Sequence, residues 1–90
     1  VMKELFQSNQ FLKDIKRLKK RGKDISKLQK VVNKLAISET LHPKHRDHTL
    51  VGEWKTCRDC HIEPDWILIY YTNLNILRLE RTGSHSDLFE

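Results

Sequence analysis

The stretch Cys57-Arg58-Asp59-Cys60-His61 contains both cysteines of the chain and one of its five histidines. Thiolates and imidazoles bind metal or haem, whereas a carboxylate beside an imidazole holds the ring for proton transfer near neutral pH. Successive side chains of an extended strand point to opposite faces, so Asp59 and His61 project side by side. Cys57 shares their face, whereas Cys60 points away from it. The alternation therefore favours acid–base chemistry over a shared role for the two sulfurs.

Haem and zinc are the alternatives for this segment. Its spacing matches the Cys-x-x-Cys-His haem attachment pattern, but covalent haem is typical of exported proteins and the sequence shows no export signal. Zinc would draw on His42, His45 and His48, which recur at every third position upstream. Pro43 bars these rings from stacking on one helix, and the two cysteines point apart. We therefore expect unpaired cysteines, one of them filling core space, and no metal, cofactor or disulfide.

Charge divides the chain into a basic first part and a second part rich in histidine and acid. Residues 1–34 contain eleven Lys and Arg side chains and three acids, whereas residues 35–90 contain six basic and nine acidic side chains with all five histidines. A basic surface attracts nucleic acid phosphates, so the first part suits nucleic-acid binding, while the titratable groups lie in the second part. From charge alone, the alternative is a pair of solvated, lysine-rich helix faces.

Two amphipathic helices account for the basic part. Ser8 is a suitable N-cap for a first helix that stops at Gly22, and Asp24 is suitable for a second. In both segments, apolar residues repeat at helical spacing and lysines occupy many of the other positions. The pattern predicts a basic helical hairpin over about residues 8–38, preceded by a short strand at Leu5-Phe6.

A polar stretch without periodicity, residues 39–52, follows the hairpin and predicts a loop. Loops of this kind often carry functional residues. We expect His42 and His45 within it to be solvated. Three strand-like runs, the first from Trp54 to Ile62, then predict a β-meander over residues 53–82, followed by a catalytic tail at residues 83–90.

Together, the elements predict a single α+β domain over residues 1–90, in which two N-terminal helices pack on a curved antiparallel sheet of about four strands. Hydrophobic residues make up 38% and charged residues 32% of the chain, which is typical of globular proteins. No run approaches the roughly 18 to 20 apolar residues of a membrane span. We therefore expect a cytoplasmic protein without membrane contact, with its histidines on the concave face of the sheet.

A series of mostly polar motifs occurs in order from about residue 46 to residue 90. It consists of Asp47-His48, Gly52-x-Trp54-Lys55, Arg58-Asp59-x-His61-x-x-Pro64-Asp65-Trp66, Gly83-Ser84-His85 and Leu88-Phe89. This long series is a specific signal, and it resembles the YafQ toxins of the RelE/ParE toxin–antitoxin superfamily. The basic helix pair is of the same type as in that family, but no sequence motif within it contributes to the resemblance.

The resemblance implies a RelE-like microbial RNase fold and a ribosome-dependent endoribonuclease, or mRNA interferase. Such a toxin enters the decoding site beside ribosomal RNA, cuts messenger RNA within codons and inhibits translation, and a small DinJ-like antitoxin holds it inactive. Cys57 departs from the family, in which an aromatic residue is usual at this position, so codon preference is in question. The residues that the family ties to cleavage correspond here to His48, Asp59, His61, Asp65, His85 and Phe89.

Metal-free RNA cleavage needs a base for the ribose 2′-hydroxyl, an acid for the departing 5′-oxygen and positive charge near phosphorus. We predict His85 as the general acid and either Asp65 or His61 as the base. His48 and Arg81 are expected to counter phosphate charge. Further RNA contacts are predicted for Phe89, by stacking on a base, and for Lys19, Lys20 and Arg21 at the end of the first helix.

Two alternatives come from other classes of protein. The first is a non-nuclease member of the superfamily, such as a ParE-like toxin that binds a protein target like gyrase. The second is a zinc-stapled RNA-binding module. The joint presence of His48, His61 and His85 favours the nuclease over the non-nuclease toxin, and metal analysis of the purified protein would separate the zinc-stapled module from both.

Overall fold

The structure of the chain, a computed structural model, describes residues 2–54 and 56–89 apart from the Glu53 side chain. Within these residues the helices are α1 (Asn9–Lys20), α2 (Ile25–Ala36) and α3 (His85–Phe89), with 3-10 turns at Pro43–His45 and Gly52–Trp54. The strands are β1 (Glu4–Gln7), β2 (His48–Thr49), β3 (Arg58–Glu63), β4 (Trp66–Thr72) and β5 (Ile76–Gly83). No helix in this part of the chain has the length and apolar character needed to cross a membrane.

Capping side chains set the starts of α1 and α2. Ser8 Oγ accepts a hydrogen bond from the Phe11 backbone N–H at 2.9 Å, and Asp24 Oδ1 accepts one from the Ser26 N–H at 3.0 Å. Both residues therefore act as the N-caps that the sequence predicts. Between the helices, Gly22 has a φ of +81°, a conformation that glycine adopts at little steric cost. Both helices bury their apolar side chains against one face of the sheet.

The five strands form one sheet in the order β1-β5-β4-β3-β2. Neighbours from β2 to β5 are antiparallel, whereas the edge strand β1 pairs in parallel with β5. The predicted α+β class, with helices packed on a sheet, is confirmed. The sheet is nevertheless mixed, and it has one strand more than predicted. This difference arises because the helical hairpin carries the chain back across the sheet, and because the loop residues His48 and Thr49 pair with β3.

The two faces of the sheet bury different side chains. The face under α1 and α2 holds the main core, which includes Cys60, Trp66 and Tyr70. On the opposite side, called the open face below, Cys57 packs with Ile67. Cys60 is 0% and Cys57 5% exposed, and burial raises the pKa of both thiols. Both cysteines are unpaired, and the sheet separates them, as the alternation of the strand predicts.

Strand β3 is shorter than the run from Trp54 to Ile62 predicts. The strand begins at Arg58, and the residues Gly52–Trp54 form a 3-10 turn instead. Lys55, which belongs to the predicted run, lies outside the described residues. Trp54 packs against the apolar cluster of Cys57, Ile67 and Ile69 on the open face. Its side chain therefore covers this face from a turn rather than from a strand.

Candidate active site

Strand β2 places His48 beside Asp59. The two residues are paired across β2 and β3, and His48 Nδ1 lies 3.1 Å from Asp59 Oδ1. The same nitrogen lies 2.6 Å from the Arg46 carbonyl oxygen, which is the closer acceptor for its hydrogen. Asp59 Oδ1 is therefore left without a hydrogen-bond donor in the part of the chain that the structure describes.

Asp59 is a buried carboxyl among the histidines of the open face. Only 4% of its surface is exposed, and this burial raises its pKa above the ordinary value of an aspartate. Positive charge on His48, His61 and His85 acts in the opposite direction. Three rings from the loop, the sheet and the tail thus lie within electrostatic reach of one carboxyl group.

The rings of His61 and His85 are direct neighbours. Their centroids are 5.7 Å apart at an interplanar angle of 73°, which is an edge-to-face arrangement. The Phe89 ring lies 6.2 Å from that of His85, one turn further along α3, and its surface is 45% exposed. Two imidazoles and an exposed aromatic ring therefore follow one another along the surface, where a nucleotide can contact all three.

Asp65 fixes the orientation of His85. Its Oδ1 accepts a hydrogen bond from the His85 backbone N–H at 3.0 Å and lies 2.7 Å from His85 Nδ1. These two hydrogen bonds lower the pKa of Asp65, although the carboxylate is exposed. With a carboxylate on Nδ1, the Nε2 atom is the ring position that can exchange a proton with a ligand.

A second acid, Asp87, anchors the tail that carries His85. The Ser84 N–H donates to Asp87 Oδ2 at 3.0 Å and the Asp87 N–H donates to Ser84 Oγ at 3.1 Å, which is a capping box at the start of α3. From the end of α1, Arg21 donates two hydrogen bonds to the same carboxylate, at 2.6 and 3.0 Å. The Arg21 guanidinium is the main reason that the pKa of Asp87 lies far below its ordinary value. Gly83 permits the close approach, because a Cβ there would lie 2.9 Å from Asp87 Oδ2.

Asp14 ties helix α1 to strand β5. Its carboxylate is 1% exposed and accepts hydrogen bonds from Arg81 Nε at 2.7 Å and Nη2 at 3.2 Å. It also accepts from the Thr82 N–H at 3.1 Å and from Arg17 Nη2 at 2.9 Å. Arg17 in turn approaches Asp87 at 3.8 Å, which connects the buried acid to the tail. The Arg81 guanidinium, predicted to counter phosphate charge, is thus engaged with Asp14, and 18% of its side chain is exposed.

The other predicted RNA contacts have different surroundings. Lys19 and Lys20 are exposed at the end of α1 and form no ion pair with any residue that the structure describes. Arg21 is also at the surface, but its guanidinium is bound to Asp87. The geometry therefore gives Arg21 a role in holding the tail, which the sequence does not indicate.

The prediction that His45 is solvated is wrong. Its side chain is buried, with 9% of the residue exposed, because the 3-10 turn at Pro43–His45 folds against β3. His45 Nδ1 lies 2.7 Å from the His61 carbonyl oxygen, so the buried ring supports the backbone of the neighbouring site residue. His42 is exposed, as expected, and its Nδ1 accepts a hydrogen bond from the Lys44 N–H at 3.0 Å.

Asp14, Arg17 and Asp87 position the site but are not predicted to do so from the sequence. The Ser84-x-x-Asp87 spacing is a capping-box signal, and it indicates a helix in the tail before the structure is known. Asp14 has no comparable signal, because an aspartate among the lysines of an amphipathic helix looks like a surface residue.

This chain, with its mixed sheet under a basic helical hairpin, is a bacterial toxin of a type II toxin–antitoxin system, because it matches a protein family of that description. The matching family is described as "Bacterial toxin of type II toxin-antitoxin system, YafQ", and the match covers residues 3–90. The chain belongs to the YafQ toxin family.

Individual members of the family are similar to this chain over nearly its whole length. The mRNA interferase toxin YafQ of Escherichia coli (strain K12) is 46% identical over 91 residues, which cover 99% of this chain and 98% of that protein. A chain in the crystal structure of the Escherichia coli DinJ–YafQ toxin–antitoxin complex superposes with a TM-score of 0.92 at 43% identity, and 100% of both chains is covered. The metal-bound toxin from Helicobacter pylori has a TM-score of 0.91 at 46% identity, covering 98% and 100% of the two chains.

The His, Cys, Asp and Glu side chains that the structure describes do not gather around a common metal position. Within residues 2–54 and 56–89, no three His, Cys, Asp or Glu side chains are placed to hold a metal ion. Because the sheet divides Cys57 from Cys60, the two thiols cannot share one tetrahedral site, which removes the basis of a zinc staple. The chemistry that the open face offers is that of imidazole and carboxylate groups.

Proposed function

We propose that the protein is a toxin that cuts messenger RNA on the ribosome, without a metal ion, and thereby inhibits translation in the cytoplasm. A DinJ-like antitoxin binds the toxin and holds it inactive. Membership of the YafQ family supports this function, as does the similarity to an Escherichia coli protein named mRNA interferase toxin. The observation that carries the proposal is the pair of neighbouring imidazoles, His61 and His85, with the Asp65 carboxylate on Nδ1 of the second ring.

In this proposal His85 is the general acid. When the ring is protonated, its Nδ1–H donates to Asp65 and its Nε2–H is left for the substrate. The Nε2 proton passes to the ribose 5′-oxygen as the bond between that oxygen and phosphorus breaks. Asp65 acts by fixing the ring, so that no reorientation is needed at the moment of proton transfer.

The general base is His61. An unprotonated ring nitrogen takes the proton of the ribose 2′-hydroxyl, and the 2′-oxygen attacks the adjacent phosphorus. Cleavage leaves a 2′,3′-cyclic phosphate on one fragment and a 5′-hydroxyl on the other. Asp65 is the other candidate for the base, but its hydrogen bonds to the backbone and ring of His85 favour His61.

The remaining site residues stabilise charge and hold the substrate. His48, which is exposed beside the buried Asp59, offsets the charge that develops on the phosphate, and the exposed part of Arg81 adds to this field. Phe89 stacks on a base next to the cut. At the far end of α1, Lys19 and Lys20 contact phosphates of ribosomal RNA.

Expression in bacteria with and without a co-expressed antitoxin tests the proposed function. We expect growth arrest only without the antitoxin, together with new 5′ ends in cellular messages that are locked to the reading frame. A variant with both His61→Ala and His85→Ala is the control and should restore growth and intact messages. Growth arrest with intact messages and altered DNA topology would contradict the proposal and would favour the gyrase-binding alternative.

Replacing Asp87 with asparagine should loosen the tail and slow cleavage by about 10- to 100-fold, because His85 then loses its fixed position. The variant should also lose about 1 kcal/mol of stability at neutral pH, since the hydrogen bonds from Arg21 weaken. Folding depresses the pKa of Asp87, so its ionised carboxylate stabilises the fold above the ordinary value of 3.8 and ceases to do so as the pH falls through the depressed pKa. The difference in Tm between the parent chain and Asp87→Asn should therefore shrink as the pH falls below 3.8 towards the depressed pKa.

Asp24→Asn is the matched control for Asp87→Asn. It removes the same charge from an exposed helix N-cap that does not touch the tail. Cleavage by Asp24→Asn should stay within about twofold of the parent rate, because asparagine caps a helix as well as aspartate. Equal rates for the two variants would show that Asp87 does not position His85.

A further inference from the structure

A groove lies between helix α2 and the 3-10 turn at Pro43–His45. It has a volume of about 420 Å³, and its lining in the described residues includes no acidic side chain. Lys30 and Lys34 line the wall that helix α2 forms, and Lys44 lines the wall that the turn forms. The groove is therefore a cationic channel on the surface.

This groove continues to the site. A second cavity of about 340 Å³ shares Lys44 and His45 with the first and extends to Arg46 and His61. The two cavities together are called the basic groove below. The basic groove runs from the lysine-rich surface of α2 to His61, the residue proposed as the general base.

Of the four lysines that line the basic groove in the described residues, only Lys27 pairs with an acid. Glu63, an acid that lines the second cavity, accepts hydrogen bonds from Lys23 and Lys27, both at 2.8 Å, and these contacts lower its pKa. Lys30 and Lys44 form no ion pair within residues 2–54 and 56–89. Their ammonium groups therefore face solvent with their full charge available for a ligand.

We propose that the basic groove binds the sugar–phosphate backbone of the RNA strand that is cut, on one side of the scissile phosphate at His61. The inference rests on the proposed function and specifies how its substrate is held. A strand bound at His61 has to leave the site along the surface, and the basic groove is a cationic path that begins there. Lysines contact phosphates as flexible point charges and do not read base identity, so the groove adds affinity rather than codon preference.

A polyanion fits the basic groove better than a protein partner does. The centres of protein–protein interfaces are depleted in charged residues, lysine included, whereas this groove has lysines on both walls. Because the groove reaches His61, the cleaved strand is also favoured over an RNA that contacts the toxin elsewhere. An acidic segment of the antitoxin and ribosomal RNA are the competing occupants.

Two charge-reduced variants of the full chain test the proposal. Lys30→Gln with Lys44→Gln removes one cation from each wall of the basic groove, and Lys13→Gln with Lys16→Gln removes the same charge from the exposed surface of α1. Binding is measured by fluorescence anisotropy with 2′-O-methylated RNA, which lacks the attacking hydroxyl and stays intact. The probes are a trinucleotide and strands of about twelve nucleotides that extend it on the 5′ or the 3′ side.

The parent chain should bind one of the two extended strands more tightly than the trinucleotide. The groove variant should lose on the order of tenfold in affinity for that strand, because two phosphate contacts are removed, with little change for the trinucleotide. The slope of log Kd against log salt concentration should fall by about 1.4, since each phosphate contact on a single strand contributes about 0.7. The α1 variant should keep most of the affinity and the salt slope of the parent chain.

Equal losses in the two variants, or an equal loss with the trinucleotide, would assign the effect to net charge and overturn the proposal. Unchanged RNA binding with weaker binding to antitoxin or to ribosomes would place one of those partners in the groove and would also overturn it. The proposed function is tested separately, by whether the parent chain cleaves messages on ribosomes. A failure of the groove proposal is therefore distinguishable from a failure of the proposed function.

Discussion

Replacing His85 with alanine is expected to lower the single-turnover rate of message cleavage on the ribosome by about 100- to 10,000-fold, the usual contribution of a general acid. The loss follows from the arrangement in which Asp65 occupies Nδ1 and Nε2 delivers the proton. The departing 5′-oxygen would then have to leave as an alkoxide or take its proton from water.

Two further variants separate proton transfer from structure. His85→Gln keeps a polar side chain of similar length next to Asp65 but cannot transfer a proton, so it should be as slow as the alanine variant. Ser86→Ala changes the next, exposed position of α3 and should cleave at the parent rate. A rate for His85→Ala within about tenfold of the parent rate would contradict the assignment of the general acid.

Local patterns predict the framework of this fold well. The N-caps Ser8 and Asp24 are set by hydrogen bonds that span three residues or fewer, so their signal is contained in a short stretch of sequence. The alternation of β3 likewise separates Cys57 from Cys60, because a strand has a fixed period of two. Pairing partners are not local, and the parallel contact of β1 with β5 joins residues that are 72 positions apart. For that reason the mixed character of the sheet could not be predicted.

The site, like the fold, could be predicted only in part. The resemblance to a family named the histidines and acids of the open face, but it gave no reason for their positions relative to one another. That reason lies in contacts between distant segments, such as the hydrogen bonds of Arg21 to Asp87, which are 66 positions apart. The burial of His45 has the same origin, since it depends on how the 3-10 turn packs on β3. Composition and periodicity carry no information on such contacts.

Asp14→Ala is expected to have the largest effect on stability, a loss of about 3–5 kcal/mol, because it removes one partner of a buried ion pair. Without the carboxylate, the Arg81 guanidinium loses two acceptors and the Thr82 N–H, on a fully buried residue, loses its own. Domains of this size have about 5–15 kcal/mol of stability in total, so the variant should be close to unfolding at growth temperature. Thermal unfolding followed by circular dichroism should show a Tm lower by about 15–30 °C.

Asp14→Asn and Asp24→Ala show whether burial or charge is responsible for this loss. The asparagine variant keeps an acceptor for the Thr82 N–H but leaves Arg81 without a counter-charge, so its loss should be smaller than that of the alanine variant yet still large. Asp24→Ala removes an exposed N-cap and should destabilise the chain far less than Asp14→Ala does. If Asp14→Ala were no less stable than Asp24→Ala, the buried ion pair would not be what holds α1 on β5, and apolar packing and the Ser8 hydrogen bonds to β5 would be sufficient. The tail would then depend on Arg21 rather than on the connection that runs from Asp14 through Arg17 to Asp87.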